Sequence, residues 1–158
     1  MLVEFGSRPS SRWAAEFATG GWTGNRSLIP LPDGRRVVVL AEGNAYLIDP
    51  DSMRLDQHLS EFAVAGYCVN EAALFVIDCH GIVFEAYDEL ALRWRTRRVS
   101  WDGIERVSWS RRLLTSDTWS APEQRWVPAT VDLGTGRATG GGYDLACGSL
   151  DERLYVGE

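Results

Sequence analysis

Residues 36 to 59 read RVVVLAEGNAYLIDPDSMRLDQHL. A β-branched run leads into Glu42-Gly43-Asn44, a short turn sequence with a central glycine, and a second apolar run follows it. Two such runs around a glycine-containing turn are typical of a β-hairpin. Pro50-Asp51-Ser52 then supplies another turn, because proline presets φ and the Asp and Ser side chains bond to nearby backbone. The stretch therefore predicts three antiparallel strands, at Arg36–Leu40, Ala45–Asp49 and Arg54–Leu59.

The same arrangement recurs along the chain. Gly43 and Gly81, the glycines of two predicted hairpins, lie 38 residues apart, which is close to the repeat length of a four-stranded propeller blade. The second unit is predicted at Ala73–Ile77, Ile82–Tyr87 and Ala91–Arg97, and the third at Ile104–Trp109, Leu113–Trp119, Trp126–Leu133 and from Arg137 onward, with a loop over Ser120–Arg125. The pattern predicts one all-β domain, 1–158, of repeated three- to four-stranded antiparallel units.

One hairpin sequence carries a family resemblance. Residues 131 to 137, VDLGTGR, resemble the Asp-x-x-Thr-Gly-Lys/Arg hairpin that joins the outer strands of β-propeller blades in the quinoprotein-like and WD40-like groups. Residues 47 to 54, LIDPDSMR, form a looser copy with Ser-Met in place of Thr-Gly, and residues 85 to 90, EAYDEL, keep only the aspartate. The resemblance covers residues 35 to 140. It implies a small β-propeller-like domain of about four blades and implies no activity.

The two ends of the chain are expected to complete the ring. Asp151–Val156 resembles the start of another unit, and Trp13–Phe17 is expected to be the strand that completes it. A short helix is the alternative for Trp13–Ala18, because Trp13 and Phe17 also share one helix face and Gly20 could cap it. If the ring does not close within one chain, two chains sharing strands, hence a homodimer, are the alternative.

The composition indicates a globular protein that needs no disulfide. Hydrophobic residues make up 45% and charged residues 24% of 158 residues, close to the average for soluble domains. The three cysteines, Cys68, Cys79 and Cys147, lack paired spacing and are expected to be reduced thiols. The start of the chain has no signal-peptide pattern, and no window approaches ~18 consecutive apolar residues. We therefore expect a cytoplasmic protein without membrane contact.

The charged residues exclude several functional classes. All 16 basic residues are arginine, so a Walker-type phosphate loop, a kinase ATP site and Schiff-base chemistry lack the lysine that each requires. A formal charge of −6 argues against nucleic-acid binding, because phosphate neutralisation needs a basic surface. No cofactor is indicated.

The sequence assembles no catalytic set. Asp78-Cys79-His80 is the sharpest candidate, but neighbouring strand residues point to opposite faces, so we expect a hairpin with solvated Asp78 and His80 and an inward Cys79. His58 and His80 are the two histidines, and their spacing from cysteine suggests no metal site. Carboxylate pairs such as Asp49 with Asp51 are expected to be turn residues. The glycines at 140 to 142 are expected to form a flexible connection.

An arginine- and tryptophan-rich stretch is the predicted binding surface. Between Arg93 and Arg112 there are seven arginines against two carboxylates. Arg93, Arg95 and Arg97 alternate, so they are expected to share one strand face, with Trp94 on the other. Arginine and tryptophan are enriched at the energetic centres of interfaces. The predicted binding residues are Arg93, Arg95, Arg97, Trp101, Trp109, Arg111 and Arg112.

These features predict a non-catalytic protein-interaction module whose partner is another protein with an acidic surface, or a second copy of this acidic chain. By analogy with small, acidic, cytoplasmic bacterial proteins of this kind, an inhibitor- or immunity-type binder is the narrower expectation. One alternative is a small-ligand or carbohydrate-binding propeller, with Trp22, Trp101 or Trp119 as stacking platforms. The other is a hydrolase that uses Cys79 or a carboxylate pair.

Overall fold

The structure, a computed structural model, describes residues 1–6, 12–69, 74–88 and 91–143. These residues form strands and connecting turns. The strands are β1 (Leu2–Phe5), β2 (Trp13–Glu16), β3 (Arg26–Pro30), β4 (Val37–Ala41), β5 (Asn44–Asp49), β6 (Arg54–Ser60), β7 (Ala63–Val69), β8 (Leu74–Cys79), β9 (Val83–Asp88), β10 (Ala91–Arg95), β11 (Ile104–Ser110), β12 (Leu113–Ser120), β13 (Arg125–Asp132) and β14 (Ala138–Gly140).

The strands form four antiparallel sheets in which sequential strands are neighbours. A two-stranded sheet, β1-β2, comes first. Three four-stranded sheets follow, which we call blade 1 (β3-β4-β5-β6), blade 2 (β7-β8-β9-β10) and blade 3 (β11-β12-β13-β14). The predicted all-β class and the repeated antiparallel units are confirmed. The first strand of blade 1, β3, and the first strand of blade 2, β7, were not among those predicted.

The sheets pack face to face in chain order. Strand β4 shows why: Val38 and Leu40 belong to the core shared with blade 2, whereas Val39 and Ala41 pack against the β1-β2 sheet. A strand buried on both faces is a continuous apolar run rather than an alternating one, and this accounts for the sequence VVVLA. Blade 2 in turn packs on blade 3 through a core that contains Phe84, Trp94, Leu114 and Val131.

The connections between strands lie at two opposite ends of the blades. Because each blade is an up-and-down sheet, the β3–β4, β5–β6, β9–β10, β11–β12 and β13–β14 connections lie at one end, which we call the groove end. The β4–β5, β8–β9 and β12–β13 turns lie at the opposite end. Glu42 and Gly43 have positive φ in the β4–β5 turn, and His80 and Gly81 have positive φ in the β8–β9 turn, a conformation whose twist matches that of the flanking strands.

The N-terminal segment is a strand rather than a helix. Trp13–Glu16 pairs antiparallel with Leu2–Phe5, and Phe5 stacks on Trp13 with ring centroids 4.5 Å apart. The predicted partner of this strand, Asp151–Val156, lies outside the described residues. The described residues include no helix that is long and apolar enough to cross a membrane.

The glycines at 140 to 142 are packed rather than flexible, contrary to expectation. The Gly142 N–H donates to Thr118 Oγ1 at 2.8 Å, in a buried position. A Cβ atom at Gly142 would lie 2.3 Å from the carbonyl oxygen of Trp119. The segment therefore passes so close to the backbone of β12 that a side chain has no space.

Candidate binding site

A groove lies between blades 2 and 3 at the groove end. Its volume is about 390 Å³. It is lined by Leu74, Asp88, Arg93, Arg111, Arg112, Leu133 and Gly134. Three arginines from two blades thus line one groove together with Asp88, and three of the seven predicted binding residues come together here. We call this site the arginine groove.

Arg93 reaches the groove because strand β10 is irregular. The pairing of β10 with β9 shifts register between Leu92 and Trp94, so Arg93 is the extra residue of a bulge. Its Nε lies 3.7 Å from Asp88 Oδ2, while Arg95 instead approaches Glu85, the residue opposite it on β9. The expected arrangement of exposed Arg93 and Arg95 on either side of a buried Trp94 is found, whereas Arg97 lies beyond the end of the strand at Arg95 and does not share its face.

Arg111 and Arg112 form the two-residue connection between β11 and β12. Arg111 has a φ of 50°, a left-handed conformation that costs an L-residue roughly 1–2 kcal/mol and suits glycine better. Arg112 Nη2 lies 3.3 Å from Asp132 Oδ2, and its side chain is 76% exposed. The tight turn thus projects two guanidinium groups into solvent at the mouth of the groove.

Trp109 lies beside the same turn. Together with Leu113, Arg111 and Arg112 it lines a shallow depression next to the groove. Its ring meets that of Tyr67 in an edge-to-face contact with centroids 6.0 Å apart, so blade 2 holds it in place. Leu113 is exposed and adds apolar surface beside the arginines.

The remaining predicted residues lie elsewhere. Arg95 Nε is 3.3 Å from Glu85 Oε1, and the same carboxylate accepts the Tyr87 hydroxyl at 2.8 Å. The Arg97 guanidinium donates to the carbonyl oxygens of Gly140 and Tyr143 at 2.7 and 3.1 Å, joining the chain after β10 to the end of blade 3. The Arg95 contact thus lies within blade 2, and the Arg97 contacts join blade 2 to blade 3.

Trp101 belongs to a cluster with Tyr143 and Arg98. Its ring packs on Tyr143 with centroids 4.9 Å apart. The Arg98 guanidinium lies over both rings, 5.3 Å from the Trp101 centroid and 4.5 Å from that of Tyr143. Cation–π contacts of this kind stabilise a partly exposed arginine, so this cluster fixes the link between blades 2 and 3.

The ion pairs at the groove are weak enough to exchange partners. Asp88 is 40% exposed in its pair with Arg93, and exposed pairs of this kind contribute about 0–1 kcal/mol. A hydrogen bond from the Thr135 hydroxyl and the charge of Arg112 lower the pKa of Asp132, so this carboxylate is ionised at neutral pH. The arginines can therefore turn to an incoming anionic group at little cost.

The Asp78-Cys79-His80 candidate is built differently from expectation. Asp78 is 1% exposed rather than solvated, and its Oδ1 accepts the Gly81 N–H at 3.0 Å. Burial raises the pKa of Asp78 to about 7, although the hydrogen bond from Gly81 favours the ionised carboxylate and opposes this rise. The reason for the error is the position of Asp78: it still belongs to β8, whose residues are all buried.

Cys79 packs inward as expected, and its thiol faces Ser60. Its Sγ lies 3.8 Å from Ser60 Oγ, and burial raises the pKa of the thiol. The His80 ring instead stacks on Phe62 with centroids 3.9 Å apart. A nucleophilic cysteine needs a lowered pKa, so this geometry does not activate Cys79. Within the described residues, no group of three or more His, Cys, Asp or Glu side chains could hold a metal ion.

An aromatic cluster at the opposite end was not predicted as a unit. Trp22 meets Phe62 and His80 edge to face, with centroids 6.0 and 5.7 Å apart. Trp22 is 56% and Phe62 is 38% exposed. Trp22 and His80 were singled out from the sequence for different reasons and Phe62 was not, because the three residues lie far apart in the chain.

Two comparisons with known proteins return no match: no family model and no curated protein matches the chain. Among solved structures, the chain is similar to one described as "Dihydro-heme d1 dehydrogenase NirN in complex with DHE", with a TM-score of 0.55 and 19% sequence identity. The match covers 73% of this chain and 27% of that one. The chain thus corresponds to about a quarter of that protein, and at this identity the likeness concerns the fold alone. This chain is therefore an all-β protein whose repeated antiparallel sheets have a propeller-like arrangement.

Proposed function

We propose that this protein is a non-catalytic interaction module that binds an acidic surface of another protein through the arginine groove. The observation that carries the proposal is that Arg93 of blade 2 and Arg111 and Arg112 of blade 3 line the same groove, where Asp88 is the one acidic lining residue. Arginines combine planar hydrogen bonding with weak hydration, which suits carboxylate recognition at interfaces. An inhibitor- or immunity-type binder is the narrower form of the proposal, and it rests on analogy.

The conformation of Arg111 supports a binding role. A residue with φ of 50° in a two-residue turn would be most relaxed as glycine. Arg111 has no hydrogen-bond or ion-pair partner in the part of the chain that the structure describes. An exposed arginine in a strained turn contributes little to stability, so its side chain is free for a ligand.

Charge reversal tests the proposal. The tagged protein is used to capture proteins from the source organism, and each captured protein is then purified and its Kd measured by calorimetry. Arg111→Glu with Arg112→Glu should weaken the interaction at least tenfold, about 1.4 kcal/mol. Arg125→Glu is the matched control, since Arg125 is also 66% exposed and paired with a carboxylate but begins β13 at the opposite end. Equal effects of the two changes, or none, would contradict the proposal.

A second copy of this chain is the alternative partner, because the chain is acidic overall. Light scattering of the wild type and of the Arg111→Glu, Arg112→Glu variant separates the two cases. A dimer that dissociates in the variant identifies self-association through the groove. If the wild type and the variant are both monomers, the partner of the groove is another protein.

Small-ligand or carbohydrate binding is a second candidate function, supported by the exposed rings of Trp22 and Phe62. Sugars and flat ring systems stack on such surfaces. Tryptophan fluorescence across a panel of sugars tests it, with Trp22→Ala as the variant that should lose the signal. A panel that leaves the fluorescence unchanged, or a response that persists in Trp22→Ala, removes this candidate.

A further inference from the structure

A second cavity lies next to the arginine groove, between blades 1 and 2. Its volume is about 220 Å³. Its buried walls are Val38, Leu47 and Phe75, and Leu31 and Leu59 pack at its edge. We call it the apolar pocket.

Asp88 connects the two sites. It lines the apolar pocket on the side of blade 1 and the arginine groove on the side of blade 3. Asp88 is the last residue of β9, and both sites therefore open at the groove end. A single extended segment that crosses Asp88 contacts both.

The size of the apolar pocket limits what it can hold. Ligand pockets for drug-sized molecules measure about 300–1,000 Å³, so about 220 Å³ is too small for one. A cavity of about 150 Å³ accommodates benzene. The apolar pocket therefore has room for one aromatic side chain.

The chemistry of its mouth fits a side chain that enters from a polar partner surface. Arg36 Nε pairs with Asp33 Oδ2 at 2.5 Å at the rim, while the walls below are apolar. A buried aromatic anchor surrounded by polar contacts is the usual arrangement of an interface hot spot. The groove arginines would then contact the acidic groups on one side of that anchor.

We propose that the apolar pocket receives one aromatic side chain of the partner, from an acidic segment whose carboxylates contact Arg93, Arg111 and Arg112. This inference rests on the proposed function and makes it more specific. It names the recognised element as a short extended segment with one aromatic residue among acidic ones.

Fluorescence anisotropy with labelled synthetic peptides tests the inference on the full chain. The probes are a pentapeptide of four glutamates around a central phenylalanine and the same peptide with central alanine. The phenylalanine peptide should bind about ten- to a hundredfold more tightly, the effect expected from burying a phenylalanine ring. Arg111→Glu with Arg112→Glu should weaken both peptides, and Arg125→Glu neither.

Changes at Leu31 test the pocket itself. Leu31→Trp should fill it and abolish the preference for phenylalanine while leaving the alanine peptide unaffected. Leu31→Ala should enlarge it and shift the preference toward a peptide with central tryptophan, which keeps the test decisive if Leu31→Trp does not fold. Equal binding of both peptides to the wild type overturns the pocket inference and leaves the groove standing. Binding that ignores the arginine changes, or no binding, overturns both.

Discussion

Trp94 Nε1 donates a hydrogen bond to the carbonyl oxygen of Leu133 at 2.8 Å. The two residues belong to different blades, so the bond joins blade 2 to the β13–β14 hairpin of blade 3. In the same hairpin, Gly136 lies under the Trp94 ring. The hairpin that resembles a propeller blade motif thus has a packing role between blades, in addition to its role as a turn.

Gly136 should be much less tolerant of substitution than a glycine with similar backbone. Gly136 and Gly34 have φ of 72° and 66°, but a Cβ at Gly136 would lie 2.7 Å from the Trp94 ring, whereas Gly34 has nothing within 4 Å. Gly136→Ala should therefore lower the free energy of unfolding by about 1–3 kcal/mol more than Gly34→Ala. Urea denaturation measures both. Equal losses of unfolding free energy in the two variants would show that the backbone conformation alone, without the Trp94 contact, accounts for the need for glycine at position 136.

Arg111→Gly should separate stability from binding. The substitution removes the strain of a left-handed backbone at an arginine, which raises the free energy of unfolding by roughly 1–2 kcal/mol. The greater conformational freedom of glycine in the unfolded chain partly offsets this increase. We expect a free energy of unfolding equal to or up to about 1 kcal/mol above the wild type, together with weaker partner binding. Thermal and urea unfolding provide the first measurement and calorimetry the second. A clearly destabilised variant would show that the side chain has a structural role.

Asp78 should make the protein less stable as the pH rises toward neutrality. Its pKa is raised from 3.8 to about 7, so between these values the folded state holds a proton that the unfolded state has released. Stability therefore falls over this interval, by up to about 1.4 kcal/mol per pH unit from this group, and levels off above pH 7.

Asp78→Asn isolates this effect. The pKa of His80 is lowered by burial and by Arg95, which gives a slope of opposite sign that both proteins share. The difference in unfolding free energy between wild type and Asp78→Asn, measured from pH 4.5 to 8, should therefore shift in favour of the variant with rising pH. A difference that does not change with pH contradicts the assignment.

The thiols should differ in reactivity. Cys79 is 4% exposed and Cys68 is partly exposed, and burial raises the pKa of both. In a Cys147→Ser background, Cys68 should react with a thiol reagent first, and Cys79 should react at the rate of unfolding. Mass spectrometry of the labelled peptides distinguishes them. Rapid labelling of Cys79 would reopen a nucleophilic role for it.

Much of the sheet structure follows from local sequence, whereas the first strands of blades 1 and 2, β3 and β7, do not. The hairpins at Gly43 and Gly81 and the strands around them have clear turn residues and apolar runs. Strand β7 has small residues, and its Gly66 lies under the ring of Phe75, with a Cβ position 2.6 Å from it. Such a strand, AVAGYCV, has no alternation of apolar and polar residues to mark it in the sequence.

Three residues of the arginine groove were singled out from the sequence, but the geometry of the groove was not predicted. Alternation places Arg93 with Arg95 and Arg97, but the bulge at Arg93 and the end of β10 send the three to different partners. Asp88 and Gly134 join the groove through contacts between blades, which sequence spacing does not reveal. Arg111 and Arg112 were predictable as exposed turn residues, and the structure adds that they line the same groove as Arg93.

Hydrogen–deuterium exchange with a captured partner tests the central claim most directly, because it locates the contact without any substitution. The account predicts slower exchange of the amides at residues 110 to 113 and 133 to 136 in the complex, with residues 20 to 23 and 80 to 82 at the opposite end unchanged. Protection at the opposite end, with no change around Arg111 and Leu133, would contradict the arginine groove as the binding site.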